Sequence, residues 1–263
     1  MKGAGGPAEK VLRDLGIVRP EDIDLEVVAW HLGAKVKYRP LNTCEARIVG
    51  REDRAIITVD NRKLAERQRY SVGHELGHWH HHRGRCLICR SEEIGSFKIS
   101  ALDPERVADG YASDLLMPQY LFKPVARSFR KLNVAALRQI KAAFSVSLTA
   151  AAFRIMESDQ FAAMLVVHNQ QGRRYFFGAR SVPGRWFPKD ELDQESHAFD
   201  MLFGKAAEMA HPRKIGADAW FDRAEAQKFE ILEQSFALPG DEVATLLIIE
   251  DEDMLEEVQE KRR

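Results

Sequence analysis

Two histidines, His74 and His78, stand four positions apart, and Glu75 directly follows the first of them. On a helix this spacing places both imidazoles on one face, one turn apart, where a single divalent ion can bind to both. Glu75 is then close enough to reach a water molecule on that ion without binding the ion itself. Two histidine ligands and a glutamate base are typical of zinc peptidases, so the pattern predicts metal-assisted peptide hydrolysis with Glu75 as the catalytic base.

The alternative interpretation of this motif is a surface helix that carries two histidines by chance. A helix that binds a metal in the protein interior needs apolar or small neighbours. The motif has such neighbours at Tyr70, Val72, Gly73, Leu76 and Gly77. The sequence therefore favours a buried helix over a solvated one.

A catalytic zinc needs a third protein ligand and one open position, and Glu105 is the downstream candidate. Pro104 suits a helix start, so Glu105 and Asp109 lie one turn apart on the same face. This Glu-x-x-x-Asp order is similar to gluzincin-type peptidases, in which the glutamate binds zinc and the aspartate hydrogen-bonds a ligand histidine. The alternatives are a carboxylate favoured by the helix dipole for Glu105 and a solvated position for Asp109. The metal interpretation is favoured by a core-facing stripe at Ala108, Tyr111, Ala112, Leu115 and Leu116.

The segments 69–78 and 105–118 together resemble the ImmA/IrrE peptidase family, whose pattern is roughly R-F-T-x-A-H-E-x-G-H and then E-x-E-A-N-x-F-A-x-x-L-L-M-P. The chain departs from this pattern at Val107, Asp109 and Tyr111, where the family often has Glu, Asn and Phe. The match extends to about residue 155. The long C-terminal extension is similar to the radiation-response members of the family and not to the shorter proteins of mobile elements.

The resemblance implies a zinc metallopeptidase, with manganese as an alternative metal in the cell. It implies that His74, His78 and Glu105 bind the ion and that Asp109 orients one of the histidines. Tyr70 and Tyr111 are the candidates for stabilising the transition state. The implied substrate is a helix-turn-helix repressor protein, cut once so that DNA-damage, radiation and desiccation response genes are released.

The predicted fold class is α+β with three domains. A gluzincin-like zinc peptidase domain with a small antiparallel sheet is expected at 1–118. A helix-turn-helix-like domain is expected at 119–158, and a GAF-like sensor domain at 159–263.

In the first domain, helices are predicted for Pro7–Leu15 and for the segment that Arg19 opens. The second has Ile23, Val27, Val28 and Trp30–Leu32 as its apolar side and Gly33 as its end. Three β-prone segments follow, and they are Ala34–Arg39, Ala46–Val49 and Ala55–Val59. One of the last two is expected to be the edge strand that pairs with an extended substrate.

The middle segment has no acidic residue from Leu115 to Met156. Within it, Val134–Phe144 and Leu148–Met156 are separated by a short turn, as in a helix-turn-helix. Three interpretations stay open: DNA binding through phosphate contacts, recognition of a protein partner, and a solvated basic face. The candidate contact residues are Lys123, Arg127, Arg130, Lys131, Arg138 and Lys141.

The C-terminal segment favours an α+β domain with an antiparallel sheet. A hairpin is predicted from Phe161–His168 and Arg173–Ser181, a helix at Glu191–Phe203, and a closing pair of strands at Phe229–Phe236 and Glu242–Ile249. The resemblance implies a GAF-like fold that binds a small-molecule ligand. The acidic stretch from residue 250 to 257 is expected to be a solvated tail or a helix.

The composition is ordinary for a globular protein, with 45% hydrophobic and 30% charged residues and a net charge of −1. The three cysteines argue against a secreted disulfide scaffold, and no apolar run has transmembrane length. We therefore expect a cytoplasmic monomer without a membrane segment. Cys86 and Cys89 form a C-x-x-C, for which loop thiols are favoured over a structural zinc or redox site.

A second hypothesis makes the chain a DNA-binding transcriptional regulator with a structural metal site. It accounts for the basic middle segment and for the sensor-like extension. It does not account for Glu75 between the histidines, because a structural site needs no base and usually contains more cysteine.

Overall fold

The computed structural model describes residues 6–81 and 103–256. The chain forms two compact units, one of residues 1–125 with 140–147 and the other of residues 126–139 with 148–263. The predicted domain limits at 118 and 158 stay predictions. Cys86 and Cys89 lie outside the described residues. No helix in the described ranges is both long enough and apolar enough to cross a membrane.

In the N-terminal half of the chain, helices both precede and follow a small sheet along the sequence. This mixture of helices and strands confirms the α+β prediction. In chain order its elements are α1 (Pro7–Asp14), α2 (Leu25–His31), β1 (Ala34–Arg39), β2 (Ala46–Arg51), β3 (Arg54–Asp60), α3 (Ala65–His81), α4 (Pro104–Leu116), α5 (Gln119–Ser128) and α6 (Val134–Phe144). Helix α1 begins with Pro7 in its first turn. The chain leaves α1 through Gly16, whose φ of +71° lies in the left-handed region that glycine adopts without strain.

Helix α2 begins later than predicted. The side chain of Asp24 accepts hydrogen bonds from two backbone N–H groups of the first turn, at 2.8 and 3.2 Å, and so caps a helix that starts at Leu25. Pro20–Asp22 forms a separate 3₁₀ turn. The predicted apolar side was right at Ile23 and Val28, which are buried, and wrong at Val27 and Trp30, which are 52% and 74% exposed. The buried side chains of α2 are Leu25, Val28 and Ala29.

The three-stranded sheet is mixed, with strand order β1-β3-β2. Strands β2 and β3 form an antiparallel hairpin that ends at the pair Arg51 and Arg54, whereas β1 runs parallel to β3. The prediction of an antiparallel sheet was therefore wrong. Residues 40–45 connect β1 to β2, which are not neighbours in the sheet, and β3 lies between them. Because β3 is central, β2 is the edge strand among the two segments considered for substrate pairing.

The inner face of the sheet packs on α3, which bears the histidine motif. Ile57 and Val59 of β3 are fully buried on that face. Trp79 of α3 lies so close to Gly50 of β2 that a Cβ on Gly50 would be 2.3 Å from its ring. The indole of Trp79 also donates a hydrogen bond to the carbonyl of Leu32, at 2.8 Å. These contacts fix the end of α3 against the sheet and against the chain that follows α2.

The rest of the chain forms a five-stranded sheet with order β5-β4-β8-β7-β6, in which all neighbours are antiparallel. The elements are α7 (Leu148–Glu157), β4 (Ala163–Asn169), β5 (Gly172–Gly178), α8 (His197–Phe203), β6 (Arg213–Gly216), β7 (Glu230–Leu238), β8 (Glu242–Ile248) and α9 (Glu252–Leu255). The predicted hairpin and the predicted closing pair of strands are both confirmed. Strand β6 was missed, because four residues are too short to show an alternating pattern.

One prediction for this part of the chain was wrong, and another had left two alternatives open. The helix expected from Glu191 begins only at His197, because the hydroxyl of Ser196 caps it by accepting a hydrogen bond from the backbone of Phe199. The acidic end was expected to be a solvated tail or a helix, and the helix is confirmed. It forms the short helix α9, in which Met254 is fully buried and its carbonyl accepts a hydrogen bond from the indole of Trp186, at 2.6 Å.

Candidate metal centre

Helices α3 and α4 approach each other through small residues. A Cβ added to Gly73 would lie 3.3 Å from the Cα of Ala112, and one added to Gly77 would lie 2.7 Å from the Cα of Ala108. All four residues follow four-residue spacings, so each pair meets on the facing sides of the two helices. The close approach lets short carboxylate side chains of α4 reach the histidines of α3. The sequence indicates these glycines as small neighbours of the motif, but it does not predict their contact with α4.

The side chains of His74, His78 and Glu105 converge on one point. The two histidine Nε2 atoms are 3.0 Å apart. Glu105 places one carboxylate oxygen 3.1 Å from the Nε2 of His74 and the other 3.3 Å from the Nε2 of His78. Both histidines are buried, while the carboxylate of Glu105 keeps a fifth of its surface exposed. The three residues predicted as ligands therefore form one cluster that is accessible from the side of Glu105.

The spacing and chemistry of these donors fit a zinc ion. Bonds of about 2.0–2.1 Å to a tetrahedral ion place neighbouring ligand atoms roughly 3.3–3.4 Å apart, and the observed separations of 3.0–3.3 Å are close to that value. Two imidazoles and one carboxylate supply the three-ligand set of catalytic zinc sites, with one position left for water or substrate. His74, His78 and Glu105 could therefore hold a divalent ion without rearrangement of the helices.

Behind this cluster, Asp109 binds the other ring nitrogen of His74. Its Oδ1 lies 2.8 Å from the Nδ1 of His74, so the Nδ1–H donates to the carboxylate and the Nε2 lone pair points toward Glu105 and His78. The prediction left open which histidine Asp109 orients, and the contact is to His74. The neighbouring ring nitrogens of His74, and then of His78, hold the pKa of Glu105 well below its usual range. Glu105 is consequently ionised at neutral pH, as a metal ligand must be.

Glu75 directly follows His74 in α3 and is completely buried. The helix places it beside the cluster and not among the three converging groups. This agrees with the predicted arrangement, in which Glu75 is next to the ion without binding it. Its role as a base stays a prediction.

The two tyrosines proposed as transition-state stabilisers occupy different positions. The hydroxyl of Tyr70 donates a hydrogen bond to the Oδ1 of Asp109, at 2.6 Å, and burial first and the charge of Asp109 second raise the pKa of Tyr70. Tyr111 stacks on His80 with ring centroids 5.2 Å apart, and burial raises its pKa to about 12. Its hydroxyl is buried without a hydrogen bond to another described residue. Both phenols keep their protons at neutral pH.

The basic residues of the middle segment are exposed or half-buried and fall into both units. Arg138 is paired with Glu208 at 2.6 Å, and Lys141 with Glu66 at 3.2 Å. These two cations are partly neutralised within the chain. The remaining four are exposed, and no described residue forms an ion pair with them: Lys123, Arg127, Arg130 and Lys131. A role of all six in contacts with nucleic acid or a partner stays a prediction.

Comparison with known proteins supports the resemblance found in the sequence. No curated protein matches the chain by sequence. Among solved structures, the chain is similar to a Mycobacterium tuberculosis transcriptional regulator, with a TM-score of 0.58 and 14% identity over 91% of this chain and 85% of that one. At this identity the likeness shows the fold alone. Residues 26–156 match the Peptidase M78 family model, described as the IrrE N-terminal-like domain, and they span all three converging ligands. Through these residues the chain belongs to the IrrE-like peptidase family.

Proposed function

We propose that the protein is a zinc-dependent, site-specific endopeptidase that cleaves a helix-turn-helix transcriptional repressor. Cleavage would release genes of the DNA-damage, radiation and desiccation responses. The observation that carries the proposal is the convergence of His74, His78 and Glu105 beside Glu75. The match of residues 26–156 to an IrrE N-terminal-like peptidase domain supports the same activity.

The chain supplies a complete set of groups for peptide hydrolysis. When bound, a zinc ion would lower the pKa of its water toward about 7 and polarise the scissile carbonyl. Glu75 takes the proton from the attacking water and delivers it to the leaving amine. Asp109 holds His74 in the tautomer that keeps its Nε2 free for binding. Manganese is the alternative ion in the cell, because an imidazole and carboxylate set accepts several divalent metals.

The edge strand β2 is the proposed docking strand for the substrate. Its outer backbone groups lie at the edge of the sheet, where an extended peptide can add as a further strand. The finer fold assignments belong to the same proposal. They are a gluzincin-like domain at 1–118, a helix-turn-helix-like domain at 119–158 and a GAF-like domain at 159–263 that binds a small molecule.

The test of this function uses purified protein, zinc and candidate helix-turn-helix repressors encoded in the same genome. Products are identified by mass spectrometry. The proposal expects one cut in one repressor, with no product when Glu75→Gln replaces the native chain. Intact repressors in the presence of fully metal-loaded protein would contradict the proposal, as would equal cleavage by the Glu75→Gln variant.

The second candidate function is transcriptional regulation by direct DNA binding, with a structural metal. It is favoured by the likeness to a protein named a transcriptional regulator and by four exposed cations of the middle segment. Chelation with EDTA separates the two functions. It should stop cleavage and leave the fold intact if the ion is catalytic, whereas unfolding would favour a structural metal. A salt-dependent gel shift with duplex DNA would support the second candidate, and no shift at low salt would exclude it.

A further inference from the structure

One oxygen of Asp109 accepts two hydrogen bonds from α3. The first comes from the Nδ1–H of His74 at 2.8 Å, and the second comes from the hydroxyl of Tyr70 at 2.6 Å. The second distance is typical of a charge-assisted bond from a hydroxyl to a carboxylate. Tyr70 and His74 are one turn apart on α3, and their rings lie 6.3 Å apart between centroids. A single carboxylate is thus held between two donors of the opposite helix.

The hydrogen bond to Asp109 determines which role the hydroxyl of Tyr70 can have. A group that stabilises a transition state must point its donor at the reacting carbonyl. The hydroxyl of Tyr70 instead points at Asp109, on the side of His74 that faces away from Glu105 and His78. The position of Tyr70 is therefore suited to hold a group that supports a ligand.

We propose that Tyr70 is a positioning residue for metal binding, which acts through Asp109 on His74. The hydroxyl fixes the Asp109 carboxylate, and the fixed carboxylate holds the imidazole with Nε2 directed at the ion. The proposal rests on the metal site of the proposed function. It does not depend on which protein, if any, is cleaved.

The physical need for a second donor follows from the exposure of Asp109. Its side chain keeps 18% of its surface exposed, whereas His74 is completely buried. Without the bond from Tyr70, the carboxylate would be freer to rotate toward water and lose the orientation that the histidine requires. Tyr70 closes off this rotation because it donates from a position one turn away on the same helix. The ring of Tyr70 is itself held by Arg67, whose guanidinium carbon lies 5.5 Å from the ring centroid.

The same hydrogen bond also has an electronic effect, and this effect would weaken zinc binding. Donation from Tyr70 withdraws negative charge from Asp109 and so makes His74 a slightly weaker ligand. If this electronic effect dominated, removal of the hydroxyl would strengthen zinc binding. The proposal states that orientation dominates, so removal of the hydroxyl weakens zinc binding.

The test measures zinc dissociation constants by competition with a chromophoric chelator at constant pH. Tyr70→Phe removes only the hydroxyl and should weaken zinc binding by roughly three- to tenfold, the contribution of one ordinary hydrogen bond. The effect should be smaller than the loss of a direct partner of a ligand, because Tyr70 acts through Asp109. Tyr120→Phe is the matched control, because its hydroxyl donates to the carbonyl of Ile17 at 2.8 Å, away from the cluster. The control should bind zinc like the native chain. Unchanged or tighter binding by Tyr70→Phe would overturn the proposal.

A double-mutant cycle tests whether the effect passes through Asp109. In an Asp109→Ala background the acceptor is gone, so Tyr70→Phe should produce no further loss of zinc affinity. An equal loss in both backgrounds would refute the route through Asp109. The visible spectrum of the cobalt-loaded protein gives a readout that general destabilisation does not mimic, and Tyr70→Phe should change its bands while Tyr120→Phe should not. Failure of the native chain to bind zinc would refute the proposed function itself, whereas tight binding by both the native chain and Tyr70→Phe would refute only the role of Tyr70.

Discussion

Gly77 of α3 lies directly against Ala108 of α4. A Cβ on Gly77 would be 2.7 Å from the Cα of Ala108 and 2.9 Å from its carbonyl oxygen. Ala108 stands between Glu105 and Asp109, the two residues of α4 that contact His74. The backbone contact between the helices therefore sets the distance from α4 to His74, which the side chains of Glu105 and Asp109 must span. Any side chain at position 77 would force α4 away from the histidines.

Gly77→Ala should weaken zinc binding at least tenfold and destabilise the fold by about 1–3 kcal/mol, the usual cost of overpacking a close contact. Zinc competition and thermal unfolding measure the two effects. The control is Gly110→Ala on α4, because a Cβ there would meet no atom of another described segment within 4 Å. This control should keep its zinc affinity and gain roughly 0.4–1 kcal/mol in stability. Native zinc affinity in Gly77→Ala would show that the helix contact does not determine the ligand spacing.

Glu75→Gln should retain zinc and lose cleavage. The amide is nearly the same size as the carboxylate, so the buried site should still fold and bind the ion, but it cannot accept a proton from water. Loss of the general base should reduce turnover by about 10²–10⁴-fold. Metal analysis and product quantification by mass spectrometry give the two readouts. A variant with native turnover would remove Glu75 from the mechanism, and a variant without metal would show that the residue serves binding instead.

The histidine cluster was predictable because its geometry is mostly local. The i, i+4 spacing fixes the relative positions of His74 and His78, and likewise those of Glu105 and Asp109, once each segment is helical. Only the pairing of the two helices required the family resemblance. The burial of α3 was also indicated by the small and apolar residues around the motif.

The features that were missed depend on contacts between distant segments. The parallel pairing of β1 with β3 cannot be read from strand patterns, because alternation is the same in either direction. The exposure of Trp30 depends on which face of α2 the sheet leaves uncovered. The bond from Tyr70 to Asp109 joins residues 39 positions apart, and it depends on side-chain directions that appear only when α3 and α4 pack. Long-range geometry of this kind leaves no periodic signal in one sequence.

Glu105→Ala should strip the site of its third ligand. The two histidines alone should bind zinc far more weakly, so the purified variant should contain much less metal than the native chain. The control is Glu66→Ala, which removes a carboxylate of α3 that pairs with Lys141 at 3.2 Å and does not contact the cluster. Elemental analysis after dialysis against a weak chelator measures the metal content of both. Unchanged zinc content in Glu105→Ala would exclude Glu105 as a ligand.

His168 of β4 should make the stability of the protein depend on pH. The residue is 1% exposed, and its contacts with the backbone of Lys189 and Asp190 only partly offset the effect of burial on its ring. Burial disfavours the charged ring and lowers its pKa to about 4. The unfolded chain, with an ordinary pKa near ~6.5, binds the proton first as the pH falls. Stability is therefore complete above about pH 6.5 and is lost progressively toward pH 4, on the order of 2 kcal/mol at pH 5.

Urea unfolding at pH 7 and pH 5 tests this dependence, with the free energy of unfolding as the measured quantity. His168→Leu removes the titrating group and fills the buried site with an apolar side chain, so its stability should change less between the two pH values than that of the native chain. His211→Gln is the control, because His211 is exposed, and it should keep the native dependence on pH. If His168→Leu and the native chain lose equal stability between pH 7 and pH 5, the acid sensitivity arises from other groups and His168 is not its source.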